Sequence, residues 1–191
     1  MIIASKKDED AVIEILVDSF ENIHIDNSIN FIVGKETGKQ RCYKLRRLFE
    51  YQFRMALMFG KVFLSEDLSS TILFIHKKKD NFRSLMLELK LVIQVIGLEK
   101  ILKILKREKL LKRSHNTKDY IHLWLMATKT AYQGKGIGKH LLAEAINYYS
   151  GKTVILETTT IGNVSFYQKL GFRVFEENYS LGFPLFFMKN V

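Results

Sequence analysis

The stretch HLWLMATKTAYQGKGIGKHLL, residues 122–142, decides how the rest of the chain is read. Its first part, with Tyr120 and Ile121 ahead of it, is a strongly apolar run that predicts a buried strand over Tyr120–Ala127. Its last part opens a helix predicted over Gly136–Tyr149, with Ile137, Leu141, Leu142 and Ala145 inward and Gly151 as its stop. Between them stands Gln133-Gly134-Lys135-Gly136-Ile137-Gly138-Lys139. Three glycines at alternate positions let backbone N–H groups turn toward one point with no Cβ in the way. The helix N-terminus adds unpaired donors and the positive end of its dipole. Lys135 and Lys139 add charge, so the segment reads as a cradle for a pyrophosphate. On the glycines alone, a helix entry with no ligand is equally open. Spacing excludes two better-known cradles. No Gly is separated by four residues from a Gly-Lys-Ser/Thr, and the third glycine of a Gly-x-Gly-x-x-Gly series counted from Gly134 falls on Lys139.

Working outward, Ile2–Ala4 reads as an edge strand and Ser5 as the cap of a helix running to Phe20. Residues 21–35 look irregular. A second helix fits 38–58, with Leu45, Leu48, Phe49, Gln52, Phe53, Ala56 and Leu57 at three- and four-residue steps and Gly60 as its end. Lys61–Ser65 and Thr71–Ile75 pair around a polar turn. Two helical stretches follow. In 82–96 the apolar stripe is Leu85, Met86, Leu89, Val92, Ile93 and Ile96; Gly97 breaks the run; in 98–112 the stripe is Leu98, Ile101, Leu102 and Leu105, opposite a basic face. After the helix at 136–149 come a strand at 153–157, a short helix at 163–170 and two strands at 172–176 and 183–188. This order predicts an α/β layered domain with a partly parallel sheet and a right-handed crossover over 120–157.

The motifs taken together resemble the GNAT superfamily of acyl-CoA-dependent N-acetyltransferases. The resemblance rests on residues 122–142, on VILETTTIGN at 154–163 and on FYQKLGF at 166–172, and it covers roughly 119–175. Gln133, Gly134, Gly136 and Gly138 supply the family's Q-x-x-G-x-G/A element, and Phe166 to Phe172 the second signature. The resemblance implies a GNAT-like single domain over 1–191, its mixed, mostly antiparallel sheet splayed at the centre, with helices on both faces and an inserted helix pair at 76–118. It implies that the amides of Gln133, Gly134, Lys135, Gly136, Ile137, Gly138 and Lys139 bind the pyrophosphate of coenzyme A. The pantetheine arm would pair with the strand backbone at Met126, Ala127 and Thr128, and Asn163 would bond to it. Phe166 and Lys169 would lie against the cofactor, Lys169 toward its 3′-phosphate or adenine end. Tyr167 would protonate the departing thiolate. A strand amide near Ala127 would stabilise the oxyanion.

The expected co-substrate is acetyl-CoA, with no metal, and the expected acceptor a small amine, a peptide amine remaining open. An alkyl amine with a pKa of about 10.4 is protonated at neutral pH, so a base is needed. His122 and Glu157 are the candidates, although each also reads as a structural residue, as Tyr167 does as a packed aromatic and Asn163 as a helix N-cap. By strand alternation His122, Trp124 and Met126 should share one face. Where the family often has Pro, this chain has Thr130. The alternative function is a non-catalytic acyl-CoA-binding sensor or scaffold, associated with a membrane surface through basic helices 82–113.

Composition sets the frame. The 191 residues are 47% apolar and 26% charged, with 14 Phe and 8 Tyr, which excludes a disordered chain. One cysteine, Cys42, excludes an internal disulfide and a Cys-built zinc site. No signal peptide or 20-residue apolar run is read, so a cytoplasmic protein without a transmembrane span is expected; a homodimer stays open. The net charge of +10 favours polyanions. Residues 90–113 hold eight Lys or Arg against two Glu, more than half of that excess. They interleave no aromatics, so nucleic acid is not the expected partner. A solvated face over the sheet, an acceptor-site cap and a membrane-surface contact are the remaining readings.

Overall fold

The computed structural model describes residues 1–76, 81–97, 100–114 and 120–190. In chain order these form β1 (Ile2–Ile3), α1 (Glu9–Phe20), α2 (Ser28–Val33), α3 (Gly38–Phe59), β2 (Gly60–Leu64), β3 (Ser70–Ile75), α4 (Phe82–Leu91), α5 (Ile101–Ser114), β4 (Tyr120–Thr128), α6 (Ile137–Tyr148), β5 (Thr153–Thr158), α7 (Ile161–Gln168), β6 (Phe172–Asn178) and β7 (Leu185–Asn190). The strands make one seven-stranded sheet in the order β1-β2-β3-β4-β5-β7-β6. Every neighbouring pair is antiparallel except β4 with β5, which are parallel and joined through α6. The expected α/β fold with a mixed, mostly antiparallel sheet is therefore what the chain adopts.

Alternation along the strands sorts side chains onto two faces. Val62, Leu64 and Leu73 meet α1 and α3 in one core, where Phe49 and Phe53 are fully covered. Truncating either phenylalanine to alanine would cost about 3–5 kcal/mol. Phe63, Ile72, Phe74, Val154 and Leu156 meet α6 in a second core on the opposite face. Leu111 of α5 packs on Leu185 and Phe187 of β7.

β4 breaks the alternation. Leu73 opposes Leu125 and Phe74 opposes Leu123, so Trp124 is an extra residue without a partner, a β-bulge. Before it, Ile121 and Leu123 point into the α6 core; after it, Leu125 and Ala127 point into the α1/α3 core and Met126 into the α6 core. The expectation that His122, Trp124 and Met126 share a face is thus overturned. His122 lies on the α3 side, and Trp124 meets Tyr51 of α3 edge-on at 6.1 Å.

Four further expectations change. Residues 21–35 are not all irregular, because Asn27 accepts from Asn30 N–H at 2.8 Å and caps the six-residue α2. Arg41 of α3, buried, ties down the same connection by donating to the carbonyls of Phe20, Glu21 and Ile23 and to Asn30 Oδ1. Ser5 caps a short 3-10 turn, with its N–H on Asp8 at 2.8 Å, and α1 starts only at Glu9. Gly60 ends α3 as expected, but for a different reason from a left-handed turn: its φ is −163°, and a Cβ there would sit 2.0 Å from the Phe74 carbonyl oxygen of the adjacent strand. Finally, most of the two expected stripes faces solvent, although Val92 and Ile96 of the first pack on the α1/α3 core. Leu85, Met86, Leu89 and Ile93 of the first and Leu102 and Leu105 of the second are exposed, while Val95, Ile96, Arg107 and Leu111 turn inward. Leu98 lies outside the described residues.

Candidate active site

The connection after β4 is shaped by hydrogen bonds on its way in and by glycines on its way out. Thr130 N–H donates to the Asp18 carboxylate of α1, and its hydroxyl to the Asp18 carbonyl at 3.2 Å. Proline at this position has no N–H to give, so the threonine exchanges stiffness for an anchor on α1. Gln133 Nε2 donates to the Thr128 carbonyl at 3.0 Å and folds the loop against the strand end. Gly134 and Gly136 then take φ of +76° and +81°, with open space where a Cβ would stand. Backbone conformation selects glycine at both. Gly138 is different. A Cβ there would lie 2.8 Å from Thr128 Oγ1 and 2.9 Å from Met126 Cε, so its glycine lets α6 begin hard against β4.

Among the described residues, the amides of Gly136 to Lys139, at the start of α6, have no acceptor, and the first intrahelical bond is His140 N–H to the Gly136 carbonyl. The loop from Gln133 to Gly136 is exposed, as is Lys139, so the positive end of a 12-residue helix opens toward solvent. Lys135 Nζ stands 4.9 Å above the Tyr132 ring. A groove of about 410 Å³ adjoins the loop, lined by Lys135 and, on α6, by His140 and Glu144, with Glu66 and Asp67 of the β2–β3 turn across from them. The terminal amine of Met1 bonds to Glu66 at 3.1 Å and faces Glu144 at 3.7 Å, and the Glu66 hydrogen bond raises its pKa.

The same strand opens on its other edge. β4 and β5 pair only from Tyr120 with Thr153 to Leu123 with Leu156, so Trp124 to Thr128 have no strand on the β5 side. Hydrogen-bond direction alternates along a strand. Lys129 N–H reaches Ser69 of the β3 side, and the Ala127 carbonyl accepts from Ser70 Oγ there at 2.9 Å. The N–H and C=O of Met126 and the N–H of Thr128 therefore face the opening, the Thr128 carbonyl being held by Gln133, and the N–H and C=O of Ala127 face β3. Of the three strand positions expected to meet the pantetheine arm, Met126 presents both backbone groups to the gap and Thr128 its N–H.

His122 and Glu157 meet across the last paired rungs. His122 Nε2 lies 2.9 Å from Glu157 Oε2, and both side chains are at least nine-tenths covered. They occupy the α3 side of the sheet with the Tyr51–Trp124 pair. Burial, and then the Glu108 charge on α5, push the Tyr51 hydroxyl pKa well up. Arg107 beside it is buried, donates to Glu108 Oε1 at 2.9 Å, and leaves its Nε without an acceptor. Tyr120 is raised by burial and by the Glu157 charge.

Tyr167 belongs to the opposite face. Its ring packs edge-on against Phe166 at 5.1 Å and Phe172 at 5.7 Å, at the border of the core that also receives Met126. Burial raises its phenol far above the ordinary range, so it remains a neutral O–H donor. Asn163 is exposed in the first turn of α7, and the N-cap is Thr160, whose side chain accepts from Asn163 N–H at 3.4 Å. Lys169 is exposed at the end of that helix. The expected catalytic residues thus form two groups, His122 with Glu157 above the gap and Tyr167 below it. Ser70, which holds both the Ala127 carbonyl and Thr128 Oγ1 at 2.9 Å, escaped the sequence reading. So did Tyr51, since only the packing of α3 on β4 brings it to Trp124. Among the described residues no cluster of three His, Cys, Asp or Glu could hold a metal ion.

Residues 99–174 match the family model described as the acetyltransferase (GNAT) domain. The fold is shared with a histone acetyltransferase HPA2-related acetyltransferase of Corynebacterium glutamicum, at 18% identity and a TM-score of 0.68, covering 99% of this chain and 93% of that one. It is shared with arylalkylamine N-acetyltransferase 2 of Aedes aegypti, at 18% identity and a TM-score of 0.64, covering 100% and 97%. The C-terminal condensation domain of Ebony, in complex with β-alanyl-dopamine, aligns at 10% identity and a TM-score of 0.69, covering 99% and 96%. No curated protein sequence matches the chain. The resemblance drawn from the loop and the FYQKLGF segment is borne out.

Proposed function

We propose, from a GNAT acetyltransferase fold whose domain match spans residues 99–174, that this chain transfers the acetyl group of acetyl-CoA to a small primary amine by direct attack. One observation carries the reading: the unpartnered amides at the start of α6, Gly136 to Lys139, stand at the end of a strand that has no strand partner on its β5 side from Trp124 to Thr128. A pyrophosphate takes such donors, and an extended amide-containing arm takes such an edge. Acetyl-CoA supplies both, together with an activated thioester.

The chain's own groups cover the proton steps. His122, oriented by Glu157, accepts the proton that the amine must lose before it attacks. The outward amides of Met126 and Thr128 are placed to hold the carbonyl oxygen as it gains charge. Tyr167 donates its proton to the leaving sulfur. Burial keeps that phenol neutral, and the same low-dielectric surroundings raise the basicity of the thiolate it meets. The attacking nitrogen forms the new C–N bond and the C–S bond breaks; the proton taken at His122 returns to solvent, and the second proton that the nitrogen loses on becoming an amide restores the Tyr167 phenol. A small amine acceptor is supported by the arylalkylamine acetyltransferase among the structural relatives.

The test is calorimetric titration with acetyl-CoA, ATP as control, followed by an amine panel read by free thiol release. Tyr167→Phe should keep acetyl-CoA affinity and lose turnover by roughly 10²–10⁴-fold. Unchanged turnover would remove Tyr167 from the mechanism. Tight binding with no thiol release from any amine would favour a non-catalytic acyl-CoA sensor instead.

A further inference from the structure

Seven of the 17 large apolar side chains exposed among the described residues fall within 82–105: Phe82, Leu85, Met86, Leu89, Ile93, Leu102 and Leu105. Their exposures run from 49% to 80%, higher than a stripe packed on a sheet would show. Phe82, Leu85, Met86, Leu89 and Ile93 follow helical three- and four-residue steps, so α4 and the π-helical turn after it turn one continuous stripe outward. The inner side of the same segment is satisfied separately, by Ser84 buried at the N-terminus and by Val95 and Ile96 in the α1/α3 core. α5 repeats the arrangement, with Ile104, Arg107 and Leu111 inward and Leu102 and Leu105 outward. Apolar stripes of this size on the outside of a folded chain mark a contact surface.

Charge identifies the contact. Arg83, Lys90, Lys103, Lys106 and Lys109 are exposed on the same two helices, in a chain of net charge +10. The exposed acid among them, Glu108, is bonded by Arg107. A second copy of the chain, docking this face on itself, would set lysine against lysine. The outward residues are aliphatic apart from Phe82, so they offer no stacking platform to nucleic-acid bases. Long lysine stems flanking Leu, Ile, Met and Phe suit a headgroup boundary, where the apolar side chains enter the acyl region and the ammonium groups reach lipid phosphates.

We propose that the α4–α5 excursion is a membrane-docking surface, seating its outward apolar stripes in the headgroup region of an anionic phospholipid bilayer. Among the described residues no helix is long and apolar enough to cross a membrane, so the contact is peripheral.

The experiment is co-sedimentation of the full chain with phosphatidylcholine vesicles, with and without phosphatidylserine, at low and high salt. Binding should require phosphatidylserine and fall with salt. Lys103→Glu/Lys106→Glu should weaken it by at least about 25-fold, at roughly fivefold for each lysine removed. Leu85→Ser/Ile93→Ser and Leu102→Ser/Leu105→Ser should each weaken it with the charge intact. All six positions are exposed, so circular dichroism and acetyl-CoA affinity serve as controls that fold and cofactor site persist. Absence of binding, binding to phosphatidylcholine alone, or binding indifferent to all three variants overturns the proposal. A dimer in sedimentation that Leu102→Ser/Leu105→Ser dissolves would assign the face to a second copy and overturn it too.

Discussion

Replacing Gly138 by alanine places a methyl group 2.8 Å from Thr128 Oγ1 and 2.9 Å from Met126 Cε. Ordinary contact needs about 3.4 Å or more, so something must give by about 0.6 Å. Met126 Cε is the free end of a flexible side chain and can swing. Thr128 Oγ1 is held: it shares a hydrogen bond with Ser70 Oγ at 2.9 Å, and Ser70 Oγ also bonds the Ala127 carbonyl at 2.9 Å. The first turn of α6 must therefore lift from β4. Overpacking of this kind costs about 1–3 kcal/mol, while alanine as a helix former returns up to about 1 kcal/mol. The single substitution mixes the two, and a cycle with Thr128→Ala separates them, because the helix preference is the same in both backgrounds and cancels. The coupling between the two positions should be about 1 kcal/mol or more. In melting temperature, that is about 2–4 °C less damage from Gly138→Ala once the hydroxyl is gone. Thermal unfolding followed by circular dichroism on the four proteins measures it, and acetyl-CoA titration should show Gly138→Ala binding about tenfold more weakly. An additive cycle would refute the argument that Gly138 exists to let the helix approach Thr128.

Gly136→Ala meets open space but must hold φ near +81°, at a cost of about 1–2 kcal/mol; acetyl-CoA titration should show a roughly five- to thirtyfold loss, and an unchanged affinity would mean that the loop conformation is not the binding one. Arg41→Met leaves three carbonyls and Asn30 Oδ1 without their donor, so denaturant unfolding should show a loss of about 3 kcal/mol or more, little of it recovered by Arg41→Lys, whose single ammonium cannot reach the same acceptors. Tyr51, Tyr149 and Tyr167 all have phenols raised by burial from an ordinary value of 10.0. The unfolded chain titrates near 10 and the folded chain higher, so this stability is complete below pH 10 and is lost as pH rises above it. Denaturant midpoints taken alongside phenolate absorbance should fall together above pH 10, and a midpoint that stays flat while phenolate appears would contradict the burial.

The order of elements and the loop were legible because their signals are local. Gln133 to Lys139 declares its turn by glycines, and α3 and α6 declare themselves by three- and four-residue apolar steps. What stayed hidden depends on partners distant in sequence. The bulge at Trp124 is a property of two strands, visible only when Leu123 and Leu125 are set against Phe74 and Leu73. Without it, His122 and Met126 land on the wrong sides of each other. Gly60 is glycine because the Phe74 carbonyl crosses it, a reason no nearby residue reveals. Three- and four-residue steps mark an apolar side on α4 and α5, but they say neither that anything covers it nor that Val92 and Ile96 turn from it into the α1/α3 core. His122 and Glu157 were each legible as candidate bases. Their hydrogen bond follows from the parallel pairing of β4 with β5, which brings together residues 35 positions apart.

The bulge also gives the protein an optical property. Trp124 is the only tryptophan in the chain, and the extra residue sets it, half-buried, where β4 leaves β5. Tyr51, 6.1 Å away, is near enough to pass excitation to it. Emission excited at the red edge of the indole band comes from this one lip of the gap and from nowhere else. The chain thus carries its own fluorophore at the place where an acyl arm or an amine would displace water, and its spectrum reports that place without a label.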